Sequence, residues 1–352
     1  MRKAPTLAAA VLAVLGSACG DANDDPTWPV PEVTHGRHVR LRSDGLEPTC
    51  GGTLAYLDTA VEVLSAAIQV PIPEDFDFYW YHGPLEQMCS PGAGACWTGR
   101  EVVSPMVPHD HEVVHAVAAG LGETHQILRE GLAVAYGDDV GHWKETPSYD
   151  PDALFEVDDL FAPGLYPSAG HWVRFVLDRH GVEPFQAFWR STPPAATLAQ
   201  IEESFAQAYG ESWDDALAAY ASYPACTGGE SRMKLMECSD EPAPWTGDTW
   251  SRAMDLDCGL PEVVGPTLGY AWKTTTVDIA ASGRYSLEVE STGDYSYVTL
   301  ARCDAACDGG FAENLPAGEV HARELPAGRY YAKFWHPAYE PGTVELRITP
   351  QR

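Results

Sequence analysis

Positive charge is scarce in this chain. Its 352 residues hold 22 Lys and Arg against 51 Asp and Glu, a formal net charge of −29. Such a surface repels nucleic acid and anionic lipid headgroups, and no basic patch argues otherwise, so no nucleic-acid partner is expected. Long apolar runs are missing too. The stretch Leu7 to Leu15 is too short to span a bilayer, which takes about 20 apolar residues. No Cys-x-x-Cys spacing occurs among the nine cysteines, which argues against a thiolate zinc site. The acidic runs Asp21-Ala-Asn-Asp-Asp25 and Asp138-Asp139 offer oxygen ligands to calcium, but a solvated acidic face is the simpler reading.

The first 19 residues read as an export signal. Arg2 and Lys3 give the charged start, Leu7 to Leu15 the apolar core and Gly16-Ser-Ala-Cys19 the small-residue end. A Cys at the cleavage point resembles a bacterial lipoprotein signal, which implies lipid on Cys19 and a membrane anchor through it. Gly16 departs from that pattern, where Leu is usual. Ordinary secretion is the alternative. Without residues 1–19 the chain has 20 Lys and Arg against 51 acids, a net of −31.

Eight cysteines remain, and an even count behind an export signal suggests disulfides. Spacing suggests the local pairs Cys89–Cys96, Cys226–Cys238 and Cys303–Cys307. Cys50 and Cys258 are then left to pair across domains, unless the local pairing fails.

Residues 20–48, rich in Pro, Asp and polar groups, read as a flexible tether. Leu54, Leu57, Val61, Leu64 and Ile68 recur at helical spacing and predict an amphipathic helix. Phe76-Asp-Phe-Tyr-Trp-Tyr81 predicts a strand with core aromatics, and Glu101-Val-Val-Ser104 a second strand. From 109 to 222 the pattern is mostly helical. Residues 226–248 have little periodicity and read as a linker. Beyond them Thr275–Ile279, Tyr285–Glu290, Tyr297–Leu300, Arg329–Trp335 and Val344–Ile348 alternate as strands between Gly and Pro turns, as in a β-sandwich.

The strongest chemical signal is His111-Glu112-Val113-Val114-His115, followed by Glu130-Gly131-Leu132-Ala133. Residues four apart share a helix face, so His111 and His115 aim two imidazoles at one point. Glu112 sits beside them, able to hold a water. Gly120 and Gly122 stop the first helix, and Gln126 to Tyr136 reads as a second helix carrying Glu130. Two His and one Glu form a zinc ligand set that leaves a fourth position for water. His125 fits neither motif. His109 reads as a solvent-exposed residue at the helix start, with Asp110 as a cap.

This arrangement resembles the gluzincin metallopeptidases, the group of thermolysin and the zinc aminopeptidases. The likeness extends through Tyr166-Pro-Ser-Ala-Gly-His171-Trp-Val-Arg-Phe-Val-Leu-Asp-Arg-His-Gly181 and covers about residues 50–222. It implies Zn2+ held by His111, His115 and Glu130, with Glu112 as general base. It also implies an edge strand at Glu101–Ser104 that pairs with extended substrate, and an oxyanion donor from Tyr166 or His171. These two differ by about 140° around an ideal helix, so at most one faces the metal; the family pattern favours Tyr166. The gap between His115 and Glu130 is shorter than in those enzymes, so the connection must be tight. The metzincin alternative fails, because Leu121 stands where its third His would be.

The expected fold class is therefore α+β: a zincin-like peptidase domain over 49–225, mostly helical after the zinc helix, then a small all-β sandwich over 249–352. The expected activity is zinc-dependent hydrolysis of peptide bonds in proteins or peptides at the bacterial cell envelope. The alternative is a non-catalytic surface lipoprotein whose sandwich binds a protein or glycan. Glu112 argues for the first, since a structural zinc site needs no base.

Overall fold

Fourteen strands and eight α-helices organise the described parts of the chain. The structure is a computed structural model and describes residues 32–137, 148–157, 162, 164–224, 233–303 and 312–351. The expected export signal, Cys19, both acidic runs, Cys226 and Cys307 lie outside them.

The first sheet holds β1 (Glu32–His35), β2 (Val39–Ser43), β3 (Phe76–Trp80), β4 (Cys96–Trp97) and β5 (Glu101–Ser104), in the order β1-β2-β3-β5-β4. Strands β2, β3 and β5 run parallel, with α1 (Thr53–Ile68) crossing between the first two. The helical spacing read from α1 puts Leu57, Val61, Leu64 and Ile68 in the core, and Gln69 closes it in a left-handed conformation, φ 59°. In β3, Phe76, Phe78 and Trp80 face the main core while Tyr79 packs with Tyr81 and Cys89 on the other side.

Two expectations need correction here. Strands β1 and β2 fall inside the predicted tether, and Val39 and Leu41 of β2 are core residues. The buried Asp58 carboxylate fixes the bend between these strands by accepting the backbone N–H groups of Arg37, His38 and Val39 at 2.7, 2.8 and 3.1 Å. Strand β5 is not an edge: the two-residue β4 pairs antiparallel outside it, held by the Cys89–Cys96 disulfide.

Helices α2 (Asp110–Ala118), α3 (Gln126–Tyr136), α4 (Pro151–Phe155), α5 (Leu165–His180), α6 (Val182–Ser191), α7 (Leu198–Tyr209) and α8 (Trp213–Tyr220) follow. Among the described residues no helix is long and apolar enough to cross a membrane.

The C-terminal part is a β-sandwich of β6 (Trp250–Leu256), β7 (Val264–Thr267), β8 (Tyr270–Ile279), β9 (Gly283–Ser291), β10 (Tyr297–Arg302), β11 (Ala312–Pro316), β12 (Val320–Leu325), β13 (Gly328–Pro337) and β14 (Gly342–Pro350). One sheet runs β11-β10-β13-β8-β7 and the other β12-β9-β14-β6. Leu287, Val289, Leu346 and Ile348 of the second sheet meet Val277, Val298, Tyr330 and Phe334 of the first in one core.

Residues 233–248 are tied down at both ends, unlike a free linker. Met233 N–H donates to the Ala135 carbonyl at 2.7 Å, Ala243 N–H to Thr276 at 3.0 Å, and Lys234 and Glu237 are buried. This strap brings Cys238 to the end of β10, where it bonds Cys303. The local pairs Cys226–Cys238 and Cys303–Cys307 are therefore overturned, because a 65-residue return of the chain outcompetes spacing. Cys50 does pair with Cys258 across the two parts. The Cys50–Thr53 segment docks on the sandwich through Thr53 Oγ1, which donates to Gly265 at 2.7 Å.

Candidate metal centre

Helix α2 is buried along its whole length, so its two histidines are held by packing on all sides. A short 3-10 turn, Ala119–Leu121, and the left-handed Gly122, φ 88°, make the tight return to α3. Trp189 Nε1 donates to the Gly122 carbonyl at 2.8 Å and fixes that return from α6. His125 caps α3: its Nδ1 accepts from Ile127 N–H at 3.3 Å, which explains a histidine that fitted no ligand motif.

Three donor atoms converge. His111 Nε2 and His115 Nε2 lie 3.2 Å apart, and Glu130 Oε2 lies 3.3 Å from the first and 3.2 Å from the second. Tetrahedral zinc with ligand bonds of about 2.0–2.1 Å requires neighbouring donors about 3.3 Å apart. The donor set and its spacing thus fit that ion, with the fourth vertex left open. Ligand atoms of His111, Glu112 and His115 all lie within 4.8 Å of one another.

The glycine after Glu130 is required by packing. A Cβ on Gly131 would stand 2.5 Å from the Ala169 carbonyl oxygen of α5, so only glycine lets α3 lie this close to α5. Gly137, at the end of α3, abuts His111 itself: a Cβ there would fall 2.5 Å from His111 Cα. These two contacts set the height of Glu130 against the imidazoles.

Burial works to raise the Glu130 carboxyl. The neighbouring His115 and hydrogen bonds from both imidazoles outweigh it and hold Glu130 well below the ordinary carboxylate range. Arg129 Nε donates to the other oxygen, Oε1, at 3.3 Å. Glu112 behaves oppositely: burial pushes its carboxyl up against the pull of His111 and His115. Its Oε2 is buried and meets no hydrogen-bond partner among the described residues.

The two oxyanion candidates separate. Tyr166, in the first turn of α5, places its ring centroid 5.8 Å from that of His111. His171 is turned the other way. Its Nε2 donates to the Pro224 carbonyl at 2.9 Å, and its Nδ1 lies 2.6 Å from the Tyr220 hydroxyl, from which the neutral ring accepts. Neither ring nitrogen is left for the metal, and the catalytic role expected as an option for His171 is withdrawn.

Two further readings change. His109 is half-buried with Nδ1 2.9 Å from Ser104 Oγ, not an exposed helix-start residue. Asp110 does not cap α2; it is buried and accepts the Tyr56 hydroxyl at 2.7 Å. Tyr56 in turn sets its ring edge-on to Trp272 of the sandwich, centroids 5.0 Å apart. No local pattern in the sequence points to this chain of contacts.

No protein-family model matches the chain, and no curated protein matches it. Some solved structures are similar over about a third of it. The pre-peptidase C-terminal domain of a collagenase from Bacillus anthracis shares 15% identity, covering 32% of this chain and 100% of that one, with a TM-score of 0.23. PliG of Aeromonas hydrophila, a periplasmic inhibitor of g-type lysozyme, shares 16% identity over 31% of this chain and 94% of its own, TM-score 0.23. A carbohydrate-binding module from Cellvibrio mixtus lichenase 5A, solved with cellotriose, shares 17% identity over 30% and 89%, TM-score 0.19. Overlap of this extent carries no argument about activity.

Proposed function

We propose that this chain is a zinc-dependent peptidase with a zincin-like N-terminal domain of the gluzincin kind, acting at the bacterial cell envelope and anchored by lipid on Cys19. The observation that carries the reading is the triangle of His111 Nε2, His115 Nε2 and Glu130 Oε2, with edges of 3.2 to 3.3 Å. The three disulfides among the described residues are consistent with an oxidising, extracytoplasmic location.

These three residues would hold zinc, which when bound would supply a Lewis acid for the scissile carbonyl and an acidified water. Glu112, buried beside the triangle with one oxygen unpaired, would act as general base toward the attacking water and return the proton to the leaving amine. Tyr166 donates its hydroxyl to the oxyanion as charge develops there. Arg129 steadies the Glu130 carboxylate from outside.

The test is metal analysis of the purified soluble chain, joined to digestion of a proteome-derived peptide library. One zinc per chain and cleavage abolished in Glu112→Gln is the expected result. Cleavage that persists in that variant, or a zinc-loaded parent that cuts nothing, overturns the peptidase reading.

A further inference from the structure

Behind α5, away from the metal, lies a cavity of about 550 Å3. Ligand-sized cavities run to roughly 300–1,000 Å3. The two faces of α5 are distinct. Ala169 and Val173 meet Gly131 of α3 on the metal side, while Ser168 and His171 lie on the other. The Ser168 hydroxyl accepts the backbone N–H groups of Ser148 and Tyr149 at 2.9 and 3.1 Å and so holds one wall of the cavity.

The lining is chemically uneven. Tyr149, Tyr220 and Tyr223 supply aromatic rings, and Asp150 and Asp152 supply carboxylates. The Tyr220 and Tyr223 rings are nearly parallel, at 18° with centroids 6.4 Å apart. Both hydroxyls already have partners: Tyr220 meets His171, which also lines the cavity, and Tyr223 donates to Asp178 at 2.7 Å. With these hydroxyls engaged, what the two residues offer a ligand is their aromatic rings. Burial holds the His171 imidazole below its ordinary range, so it adds no positive charge to the lining at neutral pH. Each Asp spends one oxygen on structure, Asp150 on the Ala153 N–H and Asp152 on Trp213 Nε1. The formal charge of the lining is thus −2, from these two carboxylates.

Aromatic faces beside carboxylates are the environment that stabilises an organic cation. We infer that this cavity is a second binding site, separated from the metal by α5, for an alkylammonium or guanidinium group on an apolar stem. Two sources share that chemistry: a Lys or Arg side chain of a protein, and a free polyamine.

Calorimetric titration of the full exported chain tests this with spermidine, N-acetyl-lysine methylamide, N-acetyl-arginine methylamide and the uncharged N-acetyl-norleucine methylamide. The cations are expected to bind and norleucine to bind at least about tenfold more weakly. Binding of spermidine alone identifies a free polyamine as the source, and binding of the amino-acid derivatives a protein side chain. The double variant Asp150→Asn/Asp152→Asn keeps an acceptor oxygen for the α4 cap and for Trp213. It should bind the cations about tenfold more weakly or worse, with an unchanged melting temperature. Tyr223→Phe keeps the ring and should bind like the parent. His111→Ala should also leave this binding intact, which separates it from the fate of the metal reading. Absence of cation binding, equal binding of norleucine, or binding that follows His111 rather than the two Asp would overturn the inference.

Discussion

The Tyr56 hydroxyl donates to Asp110 at 2.7 Å, and Asp110 stands directly before the first imidazole of the candidate metal centre. Because the Tyr56 ring also packs on Trp272, the sandwich reaches His111 through two side chains. Tyr56→Phe keeps the ring contact and removes the donor to a buried carboxylate. Asp110 is not a ligand, so the loss acts by loosening α2 and should weaken metal binding by about tenfold, the low end for direct partners of ligands. Competition with a chromogenic chelator measures the change; zinc affinity equal to the parent would show that α2 needs no help from Tyr56.

His111→Ala, His115→Ala and Glu130→Ala should each lose zinc, measured by elemental analysis after gel filtration, because each removes one corner of the donor triangle. Full occupancy in all three would end the assignment. Glu112→Gln should keep zinc and lose turnover by about a hundredfold or more. Tyr166→Phe should lower kcat with little change in KM, since its hydroxyl acts on the developing charge.

Gly131→Ala should destabilise the fold by about 1–3 kcal/mol, because the new methyl meets backbone oxygen of α5 that has no rotamer to escape into. It should also weaken zinc binding, since relief comes only by moving α3 and Glu130 with it. Urea denaturation and metal content together check this; unchanged values in both would mean that α3 and α5 have slack.

Stability should fall as the solution is acidified below neutrality. Burial pushes the imidazoles of His125, His171 and His336 below their ordinary 6.5, in His171 against the pull of the Pro224 carbonyl. Below 6.5 the unfolded chain takes up protons that the folded chain refuses. The contribution is complete above that pH and is lost as pH falls through the lower folded values. Urea midpoints of chelator-treated protein at about pH 7.5 and about pH 5.5 should differ in that direction, and His171→Gln should shrink the difference. A midpoint that rises on acidification of the parent, or an unaltered difference in the variant, would contradict the burial argument.

The parts that the sequence foretells are those set by neighbours along the chain. His111, His115 and Glu130 sit on consecutive helices joined by a short return, so helical spacing alone brings them near one another. Helix α1 and the aromatic β3 follow from their periodicity in the same way. The misreadings concern residues whose environment comes from afar. Strand β1 is exposed at every position, so Glu32–His35 carries no apolar alternation, and it is a strand only because β2 lies beside it. In β12 the residues from Val320 to Glu324 are exposed or half-exposed, which again leaves no pattern to read. His171 takes its direction from Tyr220 and Pro224, about fifty positions later. Cys238 finds Cys303 only because the strap between the two parts runs back over β8.

The Cys50–Cys258 disulfide joins residues 208 positions apart. The chain is made in order, so His111, His115 and Glu130 all exist well before the partner of Cys50 does. Until residues 258–272 have been added, the hydrogen bonds of Gly51 to Cys258 and of Gly52 to Val263 are absent, and so is the support that Trp272 lends to Tyr56. A nascent or truncated chain can therefore carry every metal ligand while lacking the brace that holds α1 against α2. Completion of the candidate metal centre is in this sense timed by the last third of the polypeptide, and its disulfide needs an oxidising compartment to form.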